Sequence, residues 1–166
     1  AFDPGAFRAA MLAREQARAQ LGLALDNAPV LGAVGRLVGS KGFSCLLEAF
    51  AGVITQRADA RLVIVGEGSA RADLEAQIER LGLRDKVFMP GHLAEAATLY
   101  RAFDWVAIPS SAEGLGLIVQ EAVMAGVPVL TSELAVFREQ LADAGWYAPS
   151  DDVDAWTHLL EQAFAA

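Results

Sequence analysis

A doubly wound α/β domain, with one parallel sheet of about six strands and helices on both of its faces, is the fold class this sequence predicts. Short apolar runs alternate in regular order with amphipathic stretches of helical length. Those runs are apolar at successive positions, as in Leu62-Val63-Ile64-Val65, which marks strands buried on both faces. The apolar excess is largely alanine, the best helix former, so the material between the strands reads as helix.

Taken in order, Asp3-Pro4-Gly5 supplies turn chemistry ahead of an Ala/Arg/Gln-rich helix over 6–21, whose apolar points are Phe7, Met11, Leu12 and Leu21. Asp26-Asn27-Ala28-Pro29 breaks the chain. This divides it into a segment over 1–28 and a sheet domain over 29–166. Strands follow at Val30 to Gly35, Arg61 to Val65, Lys86 to Met89, Trp105 to Ile108 and Val127 to Leu130, with a weak sixth near Trp146-Tyr147. Helices are expected between and after them, near Phe43 to Gln56, Ala70 to Leu81, Glu95 to Phe103, Leu117 to Ala125, Ala135 to Ala142 and Val153 to Ala165. Strand, helix and strand joined this way give right-handed crossovers and a parallel sheet. In such sheets ligands bind beyond the carboxyl ends of the strands, so the residues just after each run are the candidates for function.

Composition narrows the function classes. The chain has 166 residues, enough for one core without disulfides or metals, and 54% are hydrophobic. Mean hydropathy is high at +0.34, yet no uncharged apolar run approaches the ~18 residues of a membrane span. Thirteen Lys and Arg against 21 Asp and Glu leave a net charge of -8. No basic stripe relieves that balance, which argues against nucleic acid as a partner. A lone Cys45 excludes an intrachain disulfide and a cysteine metal cluster, and no signal peptide opens the chain. The expected setting is reducing and cytoplasmic.

After the first strand stands Gly35-Arg36-Leu37-Val38-Gly39-Ser40-Lys41-Gly42. Two cations five residues apart, in a glycine-bounded loop leading into a helix, could grip a diphosphate or form a solvated surface loop. The spacing is not that of a Walker A loop. After the second strand, Gly66-Glu67-Gly68 fits the first two glycines of a dinucleotide fingerprint. Arg71 at the third position argues against NAD, and a tight turn with Ser69 as N-cap and Asp73 in the first helical turn explains the segment. Pro90-Gly91-His92-Leu93 ends the third strand. His92 has no nucleophile and acid at recognisable spacing, so a base-stacking or plain loop role outranks general-base catalysis. His158, in the last helix, reads as a surface residue.

The strongest segment follows the fourth strand, from Pro109-Ser110-Ser111-Ala112-Glu113-Gly114-Leu115-Gly116-Leu117 to Glu121 and Gly126-Val127-Pro128-Val129. Gly114 and Gly116 leave amides bare at a helix start, an anion site that needs no side-chain charge. Glu113 at its mouth is suited to sugar hydroxyls, since phosphate would repel it. Glu121 stands two helical turns on, among apolar residues, where a carboxylate needs a partner. A ribose diol, a structural backbone bond and Arg36 are the candidates.

These residues resemble the carboxyl-terminal, nucleotide-sugar-binding half of a GT-B glycosyltransferase of family 4, the large retaining group. The similarity runs from Phe2-Asp3-Pro4 and Phe7 through Gly35 to Gly42, Val65 to Gly68, Gly91-His92-Leu93 and the Glu-x7-Glu pair Glu113 and Glu121. The resemblance implies that the sheet is Rossmann-like and that Arg36 and Lys41 neutralise the donor diphosphate. It also implies phosphate amides from Gly114, Leu115, Gly116 and Leu117, with Gly35, Gly66 and Ser110 in the same donor site. Glu113 would bind sugar hydroxyls, Glu121 the ribose, and the loop at His92 and Leu93 the base.

The implied donor is a nucleoside diphosphate sugar, with no cofactor and no metal. The implied acceptor is a glycan or lipid-linked glycan, as in polysaccharide or lipopolysaccharide-core synthesis at the inner face of the cytoplasmic membrane. It would be held by a first domain that this chain does not contain, leaving the chain inactive by itself. Leu115 stands where the family usually has Phe. The stretch Glu133 to Glu139 lacks the Gly-Gly that often precedes the family's later Glu, so no donor role passes to Glu139. A GT-B nucleotide-sugar epimerase or phosphorylase, or a nucleotide-sugar-binding module without catalysis, would carry similar strand-end loops.

Overall fold

The computed structural model describes residues 3–24 and 26–166. Phe2, part of the resemblance above, lies outside them. Two short helices, α1 (Pro4–Ala10) and α2 (Arg14–Gln20), lead into β1 (Val30–Val34). There follow α3 (Phe43–Ile54), β2 (Arg61–Val65), α4 (Arg71–Arg80), β3 (Val87–Gly91), β4 (Trp105–Ile108), α5 (Leu117–Met124), β5 (Val129–Ser132), α6 (Ala135–Leu141), β6 (Trp146–Ala148) and α7 (Val153–Ala165). All strand pairs are parallel, in the order β3-β2-β1-β4-β5-β6, as the alternating pattern requires. The chain therefore winds outward from β1 to one edge, returns to β4 and winds to the other. The point of reversal lies between β1 and β4.

Both faces of the sheet are buried, which accounts for the unbroken apolar runs. Leu62 and Ile64 point into a core with α3, α4 and α7, while Val63 and Val65 on the same strand point into a second core with α2 and α5. Burying each such side chain contributes ~1.5–3 kcal/mol, before conformational entropy is set against it. On the first face the rings of Trp105 and Trp146 pack 4.9 Å apart, and Trp156 is fully buried with its indole N–H on the Pro149 carbonyl at 3.1 Å. No helix among the described residues is long and apolar enough to cross a membrane.

Three local expectations are corrected. The helix expected over 6–21 is two helices. Asp3 caps the first by accepting from the Gly5 and Ala6 amides at 3.0 and 3.2 Å, but Met11 turns to extended backbone. The reason is tertiary: Met11 is buried, and the Leu12 amide donates to the Thr98 carbonyl at 3.0 Å instead of continuing a helix. The helix expected over 95–103 is a pair of 3-10 turns, Ala96–Thr98 and Tyr100–Ala102. The Thr98 hydroxyl occupies the Glu95 carbonyl at 2.7 Å, a local bond that competes with helix propagation. Ser69 does not cap α4. The Ala70 amide is taken by the Leu37 carbonyl at 2.8 Å, which starts the helix at Arg71, with Asp73 in its first turn as expected.

At the amino ends of the strands, a buried cation ties α2 to the sheet. Arg18, 2% exposed, donates to the carbonyls of Ala102, Asp26 and Ala28 and to Asp104 Oδ2. Asp104 also accepts from Arg14 at 2.9 Å and from the Val30 amide at 2.8 Å. Burial and the neighbouring Arg14 both disfavour the Arg18 charge, and Asp104 opposes them. Removing such a partner leaves an uncompensated buried charge, at a cost of ~3–5 kcal/mol.

Two predictions follow from the core. A Cβ at Gly32 in β1 would enter the ring of Phe103. Gly32→Ala should lower unfolding free energy by ~1–3 kcal/mol in urea titration, and an unchanged midpoint would refute the tight fit. Cys45 is buried, and burial, helped by the charges of Asp151 and Asp152, pushes its thiol up to about 11. The folded state thus favours the protonated thiol, and stability is lost as pH rises from the ordinary thiol range through that value. At pH 8 iodoacetamide should label Cys45 far more slowly in native protein than in urea, as read by mass spectrometry.

Candidate functional site

Two segments of unlike sequence meet where the winding reverses. The segment after β1 bends at Gly42, whose φ of +74° suits glycine, and a Cβ there would collide with the carbonyl of Pro109 just past β4. The Ser111 amide donates to the Ser40 carbonyl at 2.9 Å, stitching the second segment to the first. Beyond this seam Lys41 Nζ donates to both carboxylate oxygens of Glu113, at 2.8 and 2.9 Å. Both side chains are largely but not fully buried, 23% and 17% exposed, so water screens the pair only in part.

A cavity of about 370 Å³ opens along this seam. Gly35, Arg36, Lys41, Ser110, Glu113, Leu115, Gly116 and Leu117 line it, among other residues. Arg36 is exposed, and its guanidinium makes no hydrogen bond or ion pair among the described residues, while its carbonyl accepts from the Val38 amide at 2.9 Å. Gly116, with φ +62°, caps α5 and is backed by Gln140 of α6, whose side-chain amide donates to the carbonyls of Leu115 and Gly116 at 3.1 and 3.3 Å. In planar peptides those tethered carbonyls turn the N–H groups of Gly116 and Leu117 the other way, at the positive end of the helix. Ser110 is buried, and its carbonyl accepts from the Ser132 hydroxyl. Gly114 is exposed on the loop and lies outside the cavity lining.

A second cavity of about 320 Å³ shares Val34, Gly35 and Arg36 with the first and extends over the ends of β2 and β3. Gly66, Glu67, His92 and Leu93 line it, and His92 is exposed. Glu67 is held by Arg71 at 2.7 Å, and that hydrogen bond keeps its carboxylate below the usual range. The two cavities meet at Val34, Gly35 and Arg36 in one crevice, lined by the cations Arg36 and Lys41, the amino end of α5 and the carboxylates Glu113 and Glu67. A third cavity of about 320 Å³ lies at the opposite, amino ends of β1 to β3, among Leu21, Arg61, Lys86 and Phe88. Open α/β sheets bind ligands at their carboxyl ends, at the reversal, which favours the first two.

Glu121 lies one turn along α5 from Leu117 and Ile118 and outside the cavity lining. Its partner is neither Arg36 nor a backbone amide: the Tyr100 hydroxyl donates to Glu121 Oε1 at 2.9 Å. Burial, and then the adjacent Glu121 charge, raise the Tyr100 phenol well above its ordinary value, which keeps it a donor. Sequence reasoning also passed over Glu67 as a crevice residue and Gln140 as a support. Nothing local to Tyr100 or Gln140 marks them, because each acts across the fold.

The D-inositol 3-phosphate glycosyltransferase of Segniliparus rotundus is 39% identical over 158 residues, covering 90% of this chain and 35% of that protein. The 2-deoxystreptamine glucosyltransferase of Streptomyces kanamyceticus is 35% identical over 131 residues, 78% of this chain and 34% of that one. This chain thus spans about a third of the length of these curated relatives. Among solved structures, Anabaena HepE in complex with UDP and glucose superposes with a TM-score of 0.84 at 26% identity, over 98% of this chain and 45% of that one. WaaG, a glycosyltransferase involved in lipopolysaccharide biosynthesis, gives 0.80 at 28% identity, over 92% of this chain and 42% of its own. The C-terminal domain of the Francisella tularensis LpcC protein shares the fold over 100% of this chain and 89% of its own, with a TM-score of 0.85 at 22% identity. The family model described as glycosyl transferases group 1 matches residues 13–165, and the chain belongs to that family.

Proposed function

We propose that this chain is the donor-binding half of a glycosyltransferase that moves a sugar from a nucleoside diphosphate to a hydroxyl acceptor with retention of anomeric configuration. The carrying observation is the convergence of Arg36, the Lys41–Glu113 pair and the α5 amino terminus on one crevice at the β1/β4 reversal. In this reading the diphosphate takes Lys41 from Glu113 and gains Arg36 and the Gly116 and Leu117 amides. Gly114 and Leu115 complete the phosphate loop, and Gly35, Gly66 and Ser110 shape the crevice around the donor. Glu113, released, accepts hydrogen bonds from the donor sugar. The ribose goes to Glu121 and the base to the cavity at His92 and Leu93.

Two cations and a helix end supply the positive field that the leaving diphosphate needs, so the proposal includes neither metal nor cofactor. The anomeric carbon–phosphate oxygen bond breaks as the acceptor oxygen bonds on the same face, and a leaving phosphate oxygen takes the acceptor's proton. UDP, bound in the HepE structure, is the first donor scaffold to test. The acceptor is a glycan or lipid-linked glycan at the inner face of the cytoplasmic membrane, held by the rest of the enzyme. The names of the two relatives above, which contain D-inositol 3-phosphate and 2-deoxystreptamine, support a hydroxyl-bearing acceptor.

The chain should bind UDP, GDP or ADP in calorimetric titration and show no sugar transfer by itself. Robust transfer by these 166 residues would overturn the half-enzyme reading. Lys41→Ala should weaken nucleoside diphosphate binding roughly tenfold or more, the worth of one charge-assisted bond, and leave the bare nucleoside unaffected. Equal losses for both ligands would remove Lys41 from the diphosphate site. Glu113→Gln frees Lys41 from a pair worth about 1 kcal/mol, so inorganic pyrophosphate should bind roughly fivefold tighter while the nucleotide sugar gains nothing. Weaker pyrophosphate binding would mean that the pair organises Lys41 and does not compete for it.

A further inference from the structure

We propose that Tyr100 is a positioning residue for ribose recognition, acting through Glu121. The inference rests on the ribose reading of Glu121 and assigns the device that makes that carboxylate selective. Glu121 projects from an apolar helix, and a carboxylate on a single χ1–χ3 chain has rotamers to lose before it can recognise anything. Tyr100 removes that freedom. Its ring is fully buried in the second core and packs edge-on against Phe103, with centroids 6.2 Å apart. Its hydroxyl is therefore a fixed point.

That hydroxyl has one proton, and it is committed to Glu121 Oε1 at 2.9 Å. An ionised carboxylate has about four lone-pair sites, so one bond to Tyr100 anchors the group and leaves Oε2 without a hydrogen-bond partner among the described residues. The same Tyr100 segment is held from its other side, where the Ala102 carbonyl accepts from Arg18. One short turn thus carries both the contact to Arg18 and the contact to Glu121.

The experiment uses the whole chain and three probes, UDP, 2′,3′-dideoxy-UDP and inorganic pyrophosphate, in calorimetric titration. Wild type should bind UDP about tenfold tighter than the dideoxy form, and Glu121→Gln should erase that ratio. Tyr100→Phe, which deletes one oxygen and keeps the ring, should cut the ratio at least threefold and leave pyrophosphate affinity unchanged. If Tyr100→Phe lowers the melting temperature but keeps the full ratio, Tyr100 only supports the fold and the proposal is overturned. If Glu121→Gln itself keeps the ratio, the ribose reading fails and the proposal falls with it. Should Tyr100→Phe not fold, 3-fluorotyrosine at both tyrosines gives a stronger donor of nearly the same shape, Tyr147 standing on β6 away from both cavities. The UDP to dideoxy-UDP ratio should then shift with pyrophosphate unmoved, and an unmoved ratio overturns the proposal.

Discussion

Two loops that leave neighbouring strands for opposite edges of the sheet have to meet at their bases, and the rest of the crevice hangs on how closely they do. Gly42 lies against the Pro109 carbonyl with no room for a Cβ, and the Ser111 amide closes on the Ser40 carbonyl. This backbone contact sets where Lys41 and Glu113 stand, and hence that one cation is already paired while the Arg36 guanidinium has no partner among the described residues. It also aims the glycine loop at the crevice, with Gln140 holding that loop from behind. A side chain at position 42 would separate the strand ends and dissolve the site without touching any charged group.

The opposite ends of the strands follow a different logic. There the binding energy is in a buried guanidinium and one carboxylate that serves Arg14, Arg18 and the first amide of β1. The hydrogen bonds of that guanidinium are met within the chain, by three carbonyls and one carboxylate. Among the described residues, the guanidinium at one end of the sheet is fully partnered, and that of Arg36 at the other end is not. The sheet, apolar on both faces, keeps the two ends in register.

The alternation of runs and helices was legible because burial on two faces writes itself locally. Arg61–Val65, Trp105–Ile108 and Val153–Ala165 were all readable to the residue. What sequence could not show were the places where a distant backbone group decides. The Thr98 carbonyl ends the first helix at Met11, and the Leu37 carbonyl, not Ser69, starts α4. The crevice divides the same way. Glycines and charges just past β1 and β4 announced themselves by position, and the fold brings Arg36, Lys41 and Glu113 together. Tyr100 sits in a stretch that reads as ordinary helix, and it opens the second of two 3-10 segments with its hydroxyl on Glu121, a residue 21 positions away.

The tryptophans have a practical meaning for anyone watching this molecule in solution. Trp105 and Trp146 open their strands, at the ends remote from the crevice, and Trp156 is the fully buried indole on the inner face of α7. All three report on the same core, and none lines either crevice cavity. Indole emission is therefore a clean optical gauge of unfolding and a poor one of occupancy. A silent fluorescence titration would say nothing against a bound nucleotide.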